Sequence, residues 1–165
     1  MAKKRANEKT NAARLLDRLG IRYALHAYPL GDEHLEALQV AALVGLPAER
    51  VFKTLVTRGE RSGPLFAVVP SFASLDLKAL AQASGNRRVE LVPLREVTQL
   101  TGYIRGGTTV LAAKKPFPAY LDQSAHGLST LTVSAGRPGL QLSLAPADYV
   151  RATGARFAQL QAPVT

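Results

Sequence analysis

The chain of 165 residues contains no cysteine. That absence excludes disulfides, thiolate zinc sites and cysteine nucleophiles together, and it fits a reducing compartment. Carboxylates are scarce as well: 12 Asp and Glu stand against 21 Lys and Arg, a formal charge of +9. No two of the acids make an obvious acid–base pair, and the surplus of cations favours a polyanionic partner, nucleic acid first. No apolar run approaches the ~20 residues a membrane-spanning helix needs, and the longest, residues 38–44, is broken by Gln39. The basic start, Met1-Ala2-Lys3-Lys4-Arg5, runs into polar residues where a signal peptide would be apolar. The expectation is a soluble, cytoplasmic protein with no membrane association.

What is present is enough for one ordinary domain with a real core, taken as residues 1–165 with 1–6 a flexible basic tail. The positive charge is clustered. Lys3, Lys4, Arg5, Lys9, Arg14, Arg18 and Arg22 crowd one end, and Arg87-Arg88 and Lys114-Lys115 form two smaller knots. RNA contact accounts for this better than solvation alone.

Apolar spacing predicts helices over 7–19, 34–44, 77–84, 93–100 and 146–153, several stopped by glycine, with Asp76 a plausible N-cap. Period-2 alternation and β-branched content predict strands over 21–27, 51–56, 65–69, 89–92, 110–113, 119–121, 130–133, 140–144 and 156–158. Regular strand–helix–strand alternation is missing, so the class is α+β: one mixed, mostly antiparallel sheet with flanking helices.

Most familiar chemistries find no foothold. His26, His34 and His126 lack ligand spacing, so no metal site is expected; the neighbours of His26 point it outward. No Ser occupies a Gly-x-Ser-x-Gly elbow. The stretch Gly102-Tyr103-Ile104-Arg105-Gly106-Gly107-Thr108-Thr109-Val110 could bring backbone N–H groups close to a ligand. It has neither the Lys-Ser/Thr of a P-loop nor dinucleotide-binding spacing, so no cofactor is expected, and by itself it reads as a strand end with a bulge. Lys53 stands in the otherwise apolar strand Val51-Phe52-Lys53-Thr54-Leu55-Val56. It lies either at a rim, stem along the surface, or inside a cleft that would suit a phosphate or an ester carbonyl. The residues alone leave that choice open.

Taken in order, Val51-Phe52-Lys53-Thr54-Leu55-Val56, Ala67-Val68-Val69-Pro70, Leu75-Asp76-Leu77-Lys78, Gly102-Tyr103-Ile104-Arg105-Gly106-Gly107, Lys114-Lys115-Pro116-Phe117-Pro118 and the run from Val133 to Leu140 form a specific set. The set resembles the YbaK/EbsC-type aminoacyl-tRNA deacylases, relatives of the editing domain of bacterial prolyl-tRNA synthetase. The resemblance implies a strongly curved mixed sheet and a free-standing trans-editing enzyme that cleaves the ester of a mischarged tRNA, typically Cys-tRNA(Pro). It implies mischarged tRNA as partner, with prolyl-tRNA synthetase a candidate second one, and no cofactor. It makes Lys53 the key pocket lysine, with Tyr28 and Thr54 lining the same cleft, Gly106 and Gly107 forming a backbone wall, and Ser134 facing in from a later strand.

No protein nucleophile is implied. In cysteine-specific members the substrate's thiol attacks the ester, and the enzyme supplies positioning and oxyanion stabilisation; water attack is the alternative route. The chain departs from the commoner motifs at Thr109 and Val110, which replace Ser and Pro, and at Ala135, Pro138 and Gln141, which replace Gly, Arg and Asp. The competing readings are a catalytically silent binder of tRNA or of a synthetase, and a small-molecule ester or nucleotide binder.

Overall fold

The computed structural model describes residues 9–163. Helix α1 (Asn11–Arg18) leads into β1 (Ala24–Ala27) and α2 (Ala37–Val44), and a 3-10 turn (Ala48–Arg50) into the hairpin β2 (Phe52–Gly59) and β3 (Gly63–Pro70). Then come α3 (Leu77–Ser84), β4 (Val89–Leu91), α4 (Leu94–Thr101) and β5 (Ala119–Asp122), and after a second 3-10 turn (Gln123–Gly127) the hairpin β6 (Leu131–Arg137) and β7 (Leu140–Leu144). Helix α5 (Pro146–Thr153) and β8 (Arg156–Ala158) complete the order. The class is α+β, as the sequence predicts. The proposed basic tail, and residues 7 and 8 of the helix expected from position 7, lie outside the described residues; residues 9 and 10 are not helical, and the helix starts at Asn11 after its Thr10 cap. No helix among the described residues is long and apolar enough to cross a membrane.

Local chemistry sets the helix starts. The Thr10 hydroxyl accepts the Ala13 N–H at 3.1 Å and the Asp76 carboxylate accepts that of Ala79 at 3.1 Å, each relieving an orphan donor of a first turn.

The strands divide into two sheets, where the sequence reading expected one strongly curved sheet. The larger has the order β4-β2-β3-β5-β8 and the smaller the order β1-β7-β6. The smaller is wholly antiparallel; the larger pairs β3 with β5 and β5 with β8 in parallel. Outside the ladders, β6 meets the larger sheet through one parallel bridge, Val51 to Thr132. The mixed, mainly antiparallel character holds, whereas the strong curl does not: the break between two sheets takes its place.

β3 lies at the middle of the larger sheet and is buried on both faces. Phe66 and Val68 join the main core with Leu121, Leu131, Leu142 and Tyr149, while Leu65, Ala67 and Val69 pack against Leu80 and Leu160. A strand covered on both sides needs no polar face, which explains its unbroken apolar run.

Two expectations fail locally. Residues 110–113 form turns instead of a strand, with Ala112 at φ 54°. They read as a strand because Val110 and Leu111 plug the main core. Tyr103 and Thr109 satisfy the loop's backbone: the Tyr103 hydroxyl donates to the Leu111 carbonyl at 2.5 Å, and the Thr109 hydroxyl accepts the Leu111 N–H at 3.4 Å. His26 does not face away from the sheet either. Its ring meets the Ser143 hydroxyl at 2.9 Å, and Leu25 is exposed instead.

The β2–β3 hairpin is longer than its apolar pattern, extending to Gly59 and Gly63. Asn86 clamps it from the end of α3. Its amide oxygen accepts the N–H groups of Arg61 and Ser62 at 2.9 and 3.0 Å, and its amide nitrogen donates to Ser62 and Ser84 at 3.0 and 2.8 Å. A Cβ on Gly59 would fall within 2.2–2.4 Å of that amide, so only glycine fits there. Asn86→Ala is expected to lower the unfolding free energy by about 1–2 kcal/mol, the range for losing several partly buried hydrogen bonds. Urea titration of the two proteins checks this, with an unchanged m-value showing that the fold persists.

Candidate active site

The break between the sheets creates the site. The only β-bridge toward β6 among the described residues is Val51–Thr132, just before β2, and the same edge is next covered where Thr57 pairs with Leu91 and the Val92 N–H donates to the Val56 carbonyl at 3.0 Å. Between these points residues 52–55 have no strand partner on that edge among the described residues. A cavity of about 350 Å³ opens along it. One end is apolar, with Val56, Leu91, Val92, Leu94 and Val97; the other carries the polar groups.

Register places the polar groups. Two positions past the bridge stand Lys53 on β2 and Ser134 on β6, and Ser134 pairs with Gln141 on β7. Lys53, Ser134 and Gln141 therefore form a row across three strands, and all three line the cavity. Thr54 and Tyr28 line it too, the latter buried where the chain leaves β1 and held by its N–H on the Gly139 carbonyl at 3.0 Å.

Lys53 is half-buried, so it occupies the cleft and not an outer rim. Burial pushes its ammonium below the usual lysine value, and the negative charge of Glu36 pulls the other way. No hydrogen bond or ion pair holds it among the described residues. Glu36 sits at the mouth, 71% exposed, with Arg105 Nη2 at 3.6 Å and His34 Nε2 at 3.7 Å. The charged groups at this end are thus mainly cationic, with the one carboxylate engaged at the rim. Glu36, His34 and Arg105 were not singled out in the sequence. Arg105 lies inside the glycine stretch, but nothing local marked the other two.

The polar atoms of the cavity differ in how they are satisfied. The Ser134 hydroxyl accepts the Gly136 N–H at 3.1 Å, and no histidine among the described residues contacts it, so it lacks the base a nucleophilic serine requires. Thr54 Oγ1 and Gln141 Oε1 are buried with no hydrogen-bond partner among the described residues.

The two glycines of the central stretch part company. Gly106 lines the cavity with φ at +88°. Gly107 does not line it. A Cβ there would come within 2.7 Å of the Arg137 Cα, so Gly107 lets the loop press directly on the β6–β7 turn. The Tyr103 ring lies 3.2 Å from where Gly136 would carry a Cβ, closing the same junction from the other side.

Comparison with known proteins gives this geometry a context. A family model described as an aminoacyl-tRNA editing domain matches residues 33–152, which contain every polar cavity residue named above except Tyr28. A curated protein of Enterococcus faecalis, provisionally named a Cys-tRNA(Pro)/Cys-tRNA(Cys) deacylase, EbsC, is 43% identical over 160 residues, covering 97% of this chain and 98% of its own. Among solved structures, a protein described as a candidate trans-editing enzyme for prolyl-tRNA synthetase superposes with a TM-score of 0.79 at 25% identity, covering 95% of this chain and all of that one. A hypothetical protein shares the fold at a TM-score of 0.82, with 23% identity over 93% of this chain.

The depressed Lys53 ammonium makes a thermodynamic prediction. In the folded state the charged form is disfavoured, so wild type carries a penalty below the lowered folded value that is relieved as the pH rises toward 10.5. Lys53→Met is therefore expected to be at least as stable as wild type near pH 7, its advantage shrinking through the window below pH 10.5. Denaturant unfolding of both proteins between pH 7 and 10.5 measures it. A variant markedly less stable at pH 7 would contradict this account of the burial.

Proposed function

The chain belongs to the aminoacyl-tRNA editing domain family, and from that premise we propose that it is a trans-editing hydrolase, cleaving the ester of a mischarged tRNA, with Cys-tRNA(Pro) its main substrate. One observation carries the reading: Lys53, an unpaired ammonium, stands in a cavity beside buried polar atoms without partners, with no activated nucleophile among the described residues that line it. Such a site is built to position a reactive ester.

In this reading the terminal aminoacyl-adenosine enters the cavity and Lys53 donates to the ester carbonyl or an adjacent phosphate oxygen, opposing the negative charge that develops on attack. The backbone at Gly106 forms a wall without a side chain, and Tyr28, Thr54 and Ser134 bound the aminoacyl group. For a cysteinyl ester the substrate's sulfur attacks its own carbonyl carbon. The C–O bond to the ribose breaks, the thiol proton ends on the ribose hydroxyl, and a cyclic thiolactone leaves. For substrates without a thiol, water takes the place of the sulfur and the free amino acid leaves. Either way catalysis comes from proximity and preorganised dipoles.

The rest of the tRNA has a surface to meet. Arg18, Arg22, Arg87, Arg88, Lys114 and Lys115 are exposed, while Lys9 is engaged with Asp17 at 2.6 Å. Recruitment by prolyl-tRNA synthetase and a cytoplasmic location complete the proposal.

A deacylation panel with Cys-, Ala-, Ser- and Pro-tRNA(Pro) tests it. Wild type is expected to release cysteine fastest and to spare Pro-tRNA(Pro). Lys53→Ala is expected to lose at least ~100-fold in kcat/KM, as for removal of one preorganised donor, with its circular dichroism unchanged. Salt-sensitive tRNA binding with no release from any member of the panel would instead identify a catalytically silent binder.

A further inference from the structure

β7 directs two polar side chains, Gln141 and Ser143, to the same face of the smaller sheet, while Leu140, Leu142 and Leu144 enter the core. Their situations are opposite. Ser143 Oγ lies 2.9 Å from the His26 ring and 2.5 Å from Thr132 Oγ1, so its bonding is completed within the protein. Gln141 is only 6% exposed and its amide oxygen is buried without a partner. Native folds rarely leave a buried polar atom unsatisfied, and one that borders a cavity is open to a ligand. Among the described residues, the other unsatisfied buried oxygen bordering this cavity is Thr54 Oγ1. Tyr149 Oη is a third such atom, but it lies in the main core and does not line the cavity.

An oxygen of this kind calls for a donor. Lys53 and Arg105 are donors only, and will take the acceptor groups of a substrate: carbonyl, phosphate or ribose oxygens. An aminoacyl ester also carries one strong donor beside the scissile bond, its α-ammonium. Glu36, the carboxylate at this end of the cavity, is exposed at the mouth and lies beside Arg105 and His34. Gln141 stands beyond Ser134 from Lys53, across the break between the two sheets, which keeps the two cations apart. We propose that Gln141 is a specificity-determining residue whose amide oxygen, helped by Thr54 Oγ1, receives the α-ammonium of the aminoacyl group, so that this cavity selects esters with a free α-amine over N-blocked ones. A neutral amide does this without adding a further charge to the interior. The inference rests on the editing reading above.

Binding, not turnover, tests it separately. The probes are 3′-aminoacylamino-3′-deoxyadenosine, an amide that does not hydrolyse, and its N-acetylated counterpart, each titrated calorimetrically into the full chain. Wild type is expected to bind the free amine at least ~10-fold more tightly, the size of one good polar contact. Gln141→Leu is expected to bring the two probes to near parity while leaving affinity for the acetylated one unchanged. Gln141→Glu, which keeps the shape, is expected to widen the preference. Equal affinities in wild type would overturn the proposal, as would a Gln141→Leu effect equal on both probes or a preference surviving in that variant. If Gln141→Leu fails to fold, an unchanged preference in Gln141→Glu refutes the assignment by itself. Hydrolysis of Cys-tRNA(Pro) without an amine preference would retain the editing function and remove this inference; an amine preference without hydrolysis would do the reverse.

Discussion

A single parallel bridge between Val51 and Thr132 governs the architecture of the site. Had β2 and β6 continued to pair, the two sheets would have merged, and the β2 edge from 52 to 55 would have been consumed by a ladder. Instead their backbone pairing is confined to one bridge and β4 covers the other end of the same edge. The interval left between becomes a cavity whose floor is regular strand. Side chains there inherit the rigidity of two sheets, as a site relying on positioning requires. The arrangement also gives a lysine a place it could not take in a closed core: half-buried, its ammonium in the cavity and its stem among aliphatic neighbours.

The opposing wall depends on contacts made by residues with little or no side chain. Gly107 allows the 102–110 loop to lie against the backbone of Arg137, and Gly136 leaves room for the Tyr103 ring. Tyr103 then donates its hydroxyl to the Leu111 carbonyl, in surroundings dry enough to raise its pKa to about 12. The loop is therefore fastened to the β6–β7 turn at one end and to the main core, through Val110 and Leu111, at the other. Gly106 lies between these anchors and borders the cavity. Its neighbour Arg105 reaches Glu36 and so links this wall to the start of α2. Packing holds the loop in place, and the rim ion pair, exposed on both sides, adds alignment more than stability.

The residues themselves disclosed a good deal of this. Several helix ends were legible because capping is local: Asp76 and the glycines after α1, α2 and α3 act within one turn, whereas the Thr10 cap that starts α1 at Asn11 was passed over. The double burial of β3 was visible as an apolar run. Lys53 was conspicuous for the same reason, a charge where every neighbour is apolar, although its placement in a cleft required the partner strands. What stayed hidden was non-local. The division into two sheets depends on where one edge stops pairing, and no residue within β2 records that. Val110 and Leu111 have strand chemistry because they are core, and periodicity does not distinguish a buried loop from a strand. His26 was turned the wrong way because β1 is an edge strand whose outer side chains are aliphatic, so Leu25 and Ala27 gave a false direction.

Satisfaction of polar atoms is what separates structural from functional groups on the smaller sheet. Thr132, Ser143 and His26 form a closed chain of hydrogen bonds, and such a chain stabilises the sheet without needing anything from outside. Ser134 is also engaged, by the Gly136 N–H that shapes the bulge before the turn. The side-chain oxygen of Gln141, between them in register, has no partner among the described residues. A substitution that merely tolerated the fold would have had every reason to be apolar there, since a buried amide without partners costs free energy that leucine would not. That an amide occupies the position, bordering the same cavity as Lys53, is accounted for if the missing partner arrives with the substrate. Lys53 and Gln141 then divide the work by bonding type: one supplies a donor to the oxygens of the ester, the other an acceptor to its amine.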